Sequence, residues 1–155
     1  PDVVVFLDGD YSDFPQQLKN LLVPIQQDGL EMVIGSRALG NRQRRSLTPQ
    51  QLVGNWLATK LIHLFFKEKF TDLGPFRAIT WSALEQLNMQ DKTYGWTVEM
   101  QVKAARQKIK CGEVKVDYRR RIGKSKVSGT VKGTVLAGYK ILTIIFIYAF
   151  NKRKS

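Results

Sequence analysis

Residues 3–7 read VVVFL, an unbroken apolar run that ends directly in Asp8-Gly9-Asp10. A short β-branched run without polar alternation is the pattern of a strand covered on both faces, as in a parallel sheet. Burying one carboxylate is costly and two close neighbours repel, so a positive partner is expected where this strand ends. Asp13 is placed to cap a helix that starts near Pro15, with Leu18, Leu21, Leu22 and Ile25 as its apolar stripe. Pro24 is expected to kink or end that helix. Asp28-Gly29 then turns the chain into a second strand over 31–35. Strand, helix and strand in so short a span make a βαβ unit, and ligands of such sheets sit beyond the carboxyl ends of the strands. Asp8, Asp10, Ser36 and Arg37 all fall on that edge.

A D-x-D pair at a strand end suits a hard divalent cation that keeps several waters and takes phosphate oxygens as its other ligands. The charge balance agrees with a phosphate-bearing partner. Lys and Arg number 25 against 13 Asp and Glu, a net +12, which points to nucleic acid, an anionic membrane surface or a phosphorylated substrate. The excess is patterned into Arg42-Gln43-Arg44-Arg45, into Arg119-Arg120-Arg121 with Lys124 and Lys126, and into Lys152-Arg153-Lys154. With 155 residues, 43% hydrophobic and 25% charged, the chain is a globular one with room for one core. The single cysteine, Cys111, allows no internal disulfide and fits a reducing compartment.

Thr48-Pro49-Gln50-Gln51 is a strong helix start, with Thr48 as N-cap, Pro49 at the first helical position and Gln51 closing a capping box. Its helix carries Leu52, Val53, Trp56, Leu57, Leu61, Leu64 and Phe65 at helical spacing, a stripe wider than one core contact needs. A tight turn at Gly74-Pro75 follows, flanked by Asp72 and Arg77. Helices are expected over 83–87 and 97–107, and a half-exposed strand over 113–118. The last segment, 131–150, has an unbroken apolar core of about ten residues, roughly half a spanning helix. Its basic flank suits anionic headgroups, so an interfacial helix is expected ahead of a truncated spanning helix or a core helix. His63 and the tryptophans read as helix-surface and packing residues.

FLDGDYSDFP, VIGSR, TDLGPFRAI, YGWTVEM and YRRRIGKSKVSGT come in an order that resembles the family 2 glycosyltransferases, in the branch of polyprenyl-phosphate (dolichyl-type) mannose and glucose synthases. The resemblance implies an α/β fold: a partial GT-A, Rossmann-like mixed sheet with flanking helices, over 1–130, followed by a C-terminal amphipathic, membrane-interface helix over 131–155. The part of that family's fold that holds the nucleotide base would precede Pro1. It also implies a metal-dependent, inverting transfer of a sugar from a nucleotide-sugar donor to a polyprenyl phosphate. Asp8 and Asp10 would bind the donor through Mg2+ or Mn2+. Arg37, Arg44, Arg45, Arg121, Lys124 and Lys126 would bind the acceptor phosphate, which suits arginine's planar fork. Asp72 would bind donor-sugar hydroxyls or take a proton, and Glu99 matches the place where hydroxyl-glycosylating relatives keep their base. The expected location is the cytoplasmic face of a membrane, peripheral or interfacially anchored, with a homo-oligomer left open. The alternatives are a non-catalytic membrane-associated module and a polyanion-binding one. Nucleic acid is disfavoured by the absence of zinc-finger spacing, an RRM signature or aromatics among the basic runs.

Overall fold

A computed structural model of the chain describes residues 1–123 and 130–151. Its sheet has four strands, β1 (Val3–Phe6), β2 (Met32–Ser36), β3 (Arg77–Thr80) and β4 (Cys111–Lys115), in the order β1-β3-β2-β4. β3 runs antiparallel to both neighbours, with Phe6 and Ile34 each opposite Arg77, while β2 and β4 are parallel. The carboxyl ends of β1, β2 and β4 and the start of β3 therefore meet on one edge. The fold is α/β with a mixed sheet and a C-terminal apolar helix, consistent with part of a Rossmann-like GT-A fold.

Alternation along β2 sorts the core into two layers. Val33 packs with Leu21, Phe76, Ala78 and Val116 beneath α1 (Leu18–Gln27). Met32 and Ile34 face the larger core shared by α2 (Pro49–Phe66), α3 (Trp81–Leu87), α4 (Trp96–Gln107) and α5 (Val131–Phe150). β2 is buried along its whole length.

Several local expectations are corrected by this packing. β1 is a half-buried outer strand whose described partner is antiparallel β3, because β3 inserts between the two strands of the expected βαβ unit. Asp13 caps no helix; the chain enters α1 through a 3-10 turn at Pro15–Gln17 without a side-chain cap. Pro24 lies inside α1, and the helix continues to Gln27, with the Pro24 carbonyl accepting from Asp28 and Leu30. β4 starts earlier than the alternation of 113–118 suggests and stops at Lys115, after which Val116 and Tyr118 turn inward.

α2 begins as its sequence dictates: Thr48 Oγ1 accepts from Gln51 N, and Gln51 Oε1 accepts from Thr48 N. It exposes Val53, Trp56 and Leu64 while burying Ala58, Thr59 and Ile62. α5 docks on α2 and α4 through Ile144 and Ile145, with Phe65 in edge contact with both Phe146 and Phe150. Arg106 holds its end by donating to the carbonyls of Tyr148 and Asn151. Over Lys132–Phe150 the helix is long and apolar enough to cross a membrane, with only 17% of its apolar window buried in the protein.

Candidate active site

The loop leaving β1 packs three carboxylates into six residues, Asp8, Asp10 and Asp13. Asp13 Oδ2 accepts from the Asp8 backbone N–H at 3.1 Å, while its Oδ1 is buried without a partner among the described residues. Burial, and then the nearby Asp8 charge, push Asp13 up to about 6 even though the Asp8 N–H pulls the other way. Asp8 is raised too, by burial first and by Asp10 second. Asp10 Oδ1 accepts from Ser12 N and Ser12 Oγ, and its Oδ2 meets Arg121 NH2 at 3.0 Å. Arg119 clamps the loop from the other side. It donates to the carbonyls of Tyr11 and Asp13, and its guanidinium lies 3.2 Å from the centre of the Tyr11 ring and 4.3 Å from that of Phe14. Tyr11 adopts a left-handed φ of 72° at the tip.

Oxygen donors, surplus negative charge and an orphaned buried oxygen fit a hard divalent cation. Among the described residues no group of three or more His, Cys, Asp or Glu is arranged to hold a metal. A cation here would have Asp8 and Asp10 as protein ligands and its other positions open, which is the habit of magnesium at phosphate sites.

The raised acids make stability depend on pH. Between 3.8 and about 6 folded Asp13 binds a proton that the unfolded chain releases. The resulting stability is fully present at low pH and is lost as pH rises through about 6. Asp8 acts with the same sign. Without divalent cations, wild type is expected to gain about 1 kcal/mol between pH 7.5 and 5 by thermal or urea unfolding. Asp13→Asn should lose most of that gain; an unchanged slope would show that Asp13 is ionised normally.

Across the same edge, β2 delivers Arg37 onto Asp72. Nε and NH2 of Arg37 each approach a different oxygen of Asp72 at 2.7 Å, and the Arg37 backbone N donates to Oδ2 at 2.8 Å. The guanidinium stacks 5.0 Å from the centre of the buried Tyr118 ring. Burial alone would lower Arg37, but the Asp72 carboxylate outweighs it and holds the guanidinium above its usual value. Asp72 is fixed in turn. Glu113 on β4 accepts from the N–H groups of Thr71 and Asp72 and from Thr71 Oγ1, and Ser36 Oγ lies 2.6 Å from Thr71 Oγ1. Buried Arg77 donates to the carbonyls of Leu73, Gly74 and Thr97, tying this turn to the start of α4. Arg37 is also, among the described residues, the one charged side chain lining a cavity of about 230 Å³ between α2 and α5, whose walls combine Leu47, Leu73, Ala137 and Ile141 with the uncharged polar Gln51 and Asn55.

The basic runs converge by backbone pairing. Gln43 N donates to the Tyr118 carbonyl, Tyr118 N donates to that of Asn41, and Arg120 Nε reaches the carbonyl of Arg44. Gly40 permits the approach, since a Cβ there would stand 2.0 Å from the Val116 carbonyl oxygen. Arg44 and Arg45 thus lie beside the run that carries Arg121, around a shallow pocket of about 190 Å³. Lys124 and Lys126 lie outside the described residues, as do Lys152, Arg153 and Lys154.

Glu99 sits elsewhere. Its carboxylate accepts from Gln90 N and Asp91 N, pairs with Lys103 Nζ at 2.7 Å and accepts from Tyr148 OH at 3.3 Å. These partners tie α4 to the 88–91 turn and to α5. Asp72 likewise has both oxygens engaged. The geometry thus gives both carboxylates structural partners. Sequence reading passed over Asp13 as a site residue, and also Glu113, Tyr118 and Arg119. For Asp13 the signal was present, a third acid in DGDYSD, and Tyr118 and Arg119 open the basic YRRRIGKSKVSGT motif; for Glu113 nothing local marks it.

No protein-family profile matches the chain. It is 30% identical, over 85% of its length, to an undecaprenyl-phosphate mannosyltransferase of Micrococcus luteus, 56% of which is covered. It is 37% identical over 67 residues, 43% of this chain and 31% of the relative, to an uncharacterized glycosyltransferase of Mycobacterium tuberculosis; a Mycobacterium bovis counterpart matches equally. The chain spans about half the length of the first of these relatives and less of the others. In motif order, in its mixed sheet and in these relatives, the chain is similar to glycosyltransferases, an undecaprenyl-phosphate mannosyltransferase among them.

Proposed function

We propose that the chain forms the metal- and acceptor-facing side of a transferase that moves a sugar, mannose in the first instance, from a nucleotide-sugar to a polyprenyl phosphate with inversion. One observation carries the reading. The edge that presents the acidic loop also presents Arg37, held by Asp72, on the wall of a cavity between α2 and α5 whose other described lining residues are uncharged. A phosphate with a hydrocarbon tail matches that combination of one cation with walls that are mostly apolar and carry Gln, Asn and Thr side chains.

Asp8 and Asp10 would hold Mg2+ or Mn2+, which supplies Lewis acidity toward the leaving diphosphate. Arg37, with Arg44, Arg45 and Arg121 nearby, would neutralise and orient the acceptor. A phosphate's second pKa is about 6, so the acceptor is already an anion at neutral pH and needs no general base. Its oxygen forms the bond to the anomeric carbon as the carbon–oxygen bond to the diphosphate breaks, and a single displacement inverts that centre. The occupied carboxylates of Asp72 and Glu99 accord with a reaction that requires no base. Exposed Trp56, Leu64, Tyr139 and Phe150 on α2 and α5 suit contact with a membrane, and the cytoplasmic face is the side where nucleotide-sugars are made.

The test compares phosphatidylcholine vesicles carrying undecaprenyl phosphate with vesicles carrying undecaprenol. The protein should sediment preferentially with the phosphate, and Arg37→Lys should weaken that preference about tenfold or more, since a charge-assisted hydrogen bond from the guanidinium edge that Asp72 does not occupy contributes about 1.5–3 kcal/mol. With Mn2+ and a nucleotide-mannose, a mannosyl-phosphate lipid should form and chelator should stop it. Equal binding to both vesicles would overturn the acceptor assignment.

A further inference from the structure

The two arginines nearest the carboxylates are held very differently. Arg37 is 12% exposed and Asp72 2%, and their pair is a two-pronged fork backed by the Tyr118 ring and by Glu113, which accepts from the Asp72 N–H. Arg121 and Asp10 are 29% and 22% exposed and share one contact at 3.0 Å. The residue after next, Gly123, has a φ of +91°, a conformation that glycine adopts without strain.

We propose that Arg121 serves two partners in turn: it neutralises Asp10 while no divalent cation is bound, and it turns to the acceptor phosphate once a cation takes Asp10 over. Cation binding and acceptor binding are then coupled through a single guanidinium. The inference rests on the metal and acceptor roles proposed above and assigns the link between them.

The contacts of Asp10 carry the argument. Oδ1 is taken by Ser12 N and Ser12 Oγ, a local turn that a cation need not disturb. Oδ2 is taken by Arg121, so an arriving cation competes with that side chain. The charge of Arg121 also reaches Asp8, which it draws down against burial and the repulsion from Asp10. Removing Arg121 from both acids without replacement would leave them repelling each other, whereas a divalent cation replaces one charge by two. The released guanidinium stays on the edge it shares with Arg44, because the Ile122 backbone N–H remains bonded to the Asp10 carbonyl at 2.9 Å. Such a coupling is reciprocal: whatever factor the cation gains by losing Arg121 as a competitor, the acceptor gains from the cation.

The experiment uses the whole chain and Mn2+ alone, with binding read by the loss of the free-ion paramagnetic resonance signal. Arg121→Gln is expected to bind Mn2+ about fivefold more tightly than wild type, the factor that matches a partly exposed ion pair. Arg121→Lys should fall between the two and serves if the Gln variant is poorly folded. Arg120→Gln removes the same charge from an exposed side chain that donates to the Arg44 carbonyl and pairs with no carboxylate among the described residues, and should shift affinity less than about twofold. In the reverse direction, Asp10→Asn without metal should bind farnesyl phosphate about fivefold more tightly than wild type, because it frees Arg121 while keeping an oxygen for Ser12. If wild type takes up no Mn2+ at millimolar concentrations, the metal reading falls and the inference with it. If wild type binds Mn2+ but either variant shows wild-type affinity for its probe, the inference alone is overturned.

Discussion

Asp72→Ala is expected to destabilise the protein by about 3–5 kcal/mol, because it strips the partner from a buried guanidinium and leaves that charge uncompensated. Arg37 would lose both side-chain bonds to Asp72 and the bond from its own backbone N–H. The Leu73-Gly74 turn packs tightly on this pair, since a Cβ at Gly74 would stand 3.1 Å from Asp72 Oδ2 and 3.2 Å from Arg37 Nε. Urea unfolding gives the stability, and titration with farnesyl phosphate gives the function. Acceptor affinity should fall along with stability, because a guanidinium released from Asp72 no longer holds its remaining edge toward the cavity. Arg37→Met combined with Asp72→Leu removes both charges from the site and should recover much of the stability and none of the acceptor binding. A stability loss below about 1 kcal/mol for Asp72→Ala would mean that water reaches the pair and that Arg37 is not immobilised as described.

Glu99→Gln is the second large effect, and it separates an anchor from a catalytic base. Burial would raise this carboxyl, but Lys103 and the N–H groups of Asp91 and Gln90 outweigh it and hold it below its usual range. Its contribution to stability is therefore present at neutral pH and lost as pH falls through a value below 4.5. Glu99→Gln leaves Lys103 buried beside a neutral amide, with a cost of about 3 kcal/mol. α5 should loosen from α4, because Tyr148 OH and the ring that lies 5.6 Å from Lys103 Nζ lose their shared partner. Melting temperature should drop, protease sensitivity should rise in α5, and the acid limb of the pH–stability profile should flatten. Sugar transfer measured below the variant's melting range should stay within about tenfold of wild type, where loss of a general base typically costs about 10²–10⁴-fold. Intact stability with a collapsed transfer rate would restore Glu99 as the base.

These carboxylates also show where sequence reading reached its limit. Asp72 beside a Gly-Pro turn and Glu99 early in a helix both look available for chemistry, because sequence reports that a carboxylate exists and not what faces it. Arg37 lies 35 residues from Asp72, and Glu113 lies 42 from Thr71. Which of them meet depends on β3 lying between β1 and β2, with β4 on the far side of β2. That order buries β2 along its whole length between β3 and β4.

Features encoded within one turn or one strand were legible from the sequence alone. Thr48 and Gln51 specify a helix start with atoms three residues apart, the apolar periodicity marks α2 and α5, and the run into Asp8 and Asp10 marks a strand that ends in an acidic loop. Their free energies come from neighbours that the chain itself supplies, so local order is enough to read them. The tertiary structure alone decided which charges are spent and which stay exchangeable: Arg37 locked on Asp72, Arg121 resting on Asp10, Glu99 turned toward α5. A buried charge must find a counter-charge wherever packing puts one, and packing is set by the volume and order of the whole core, a quantity that no short stretch of sequence contains.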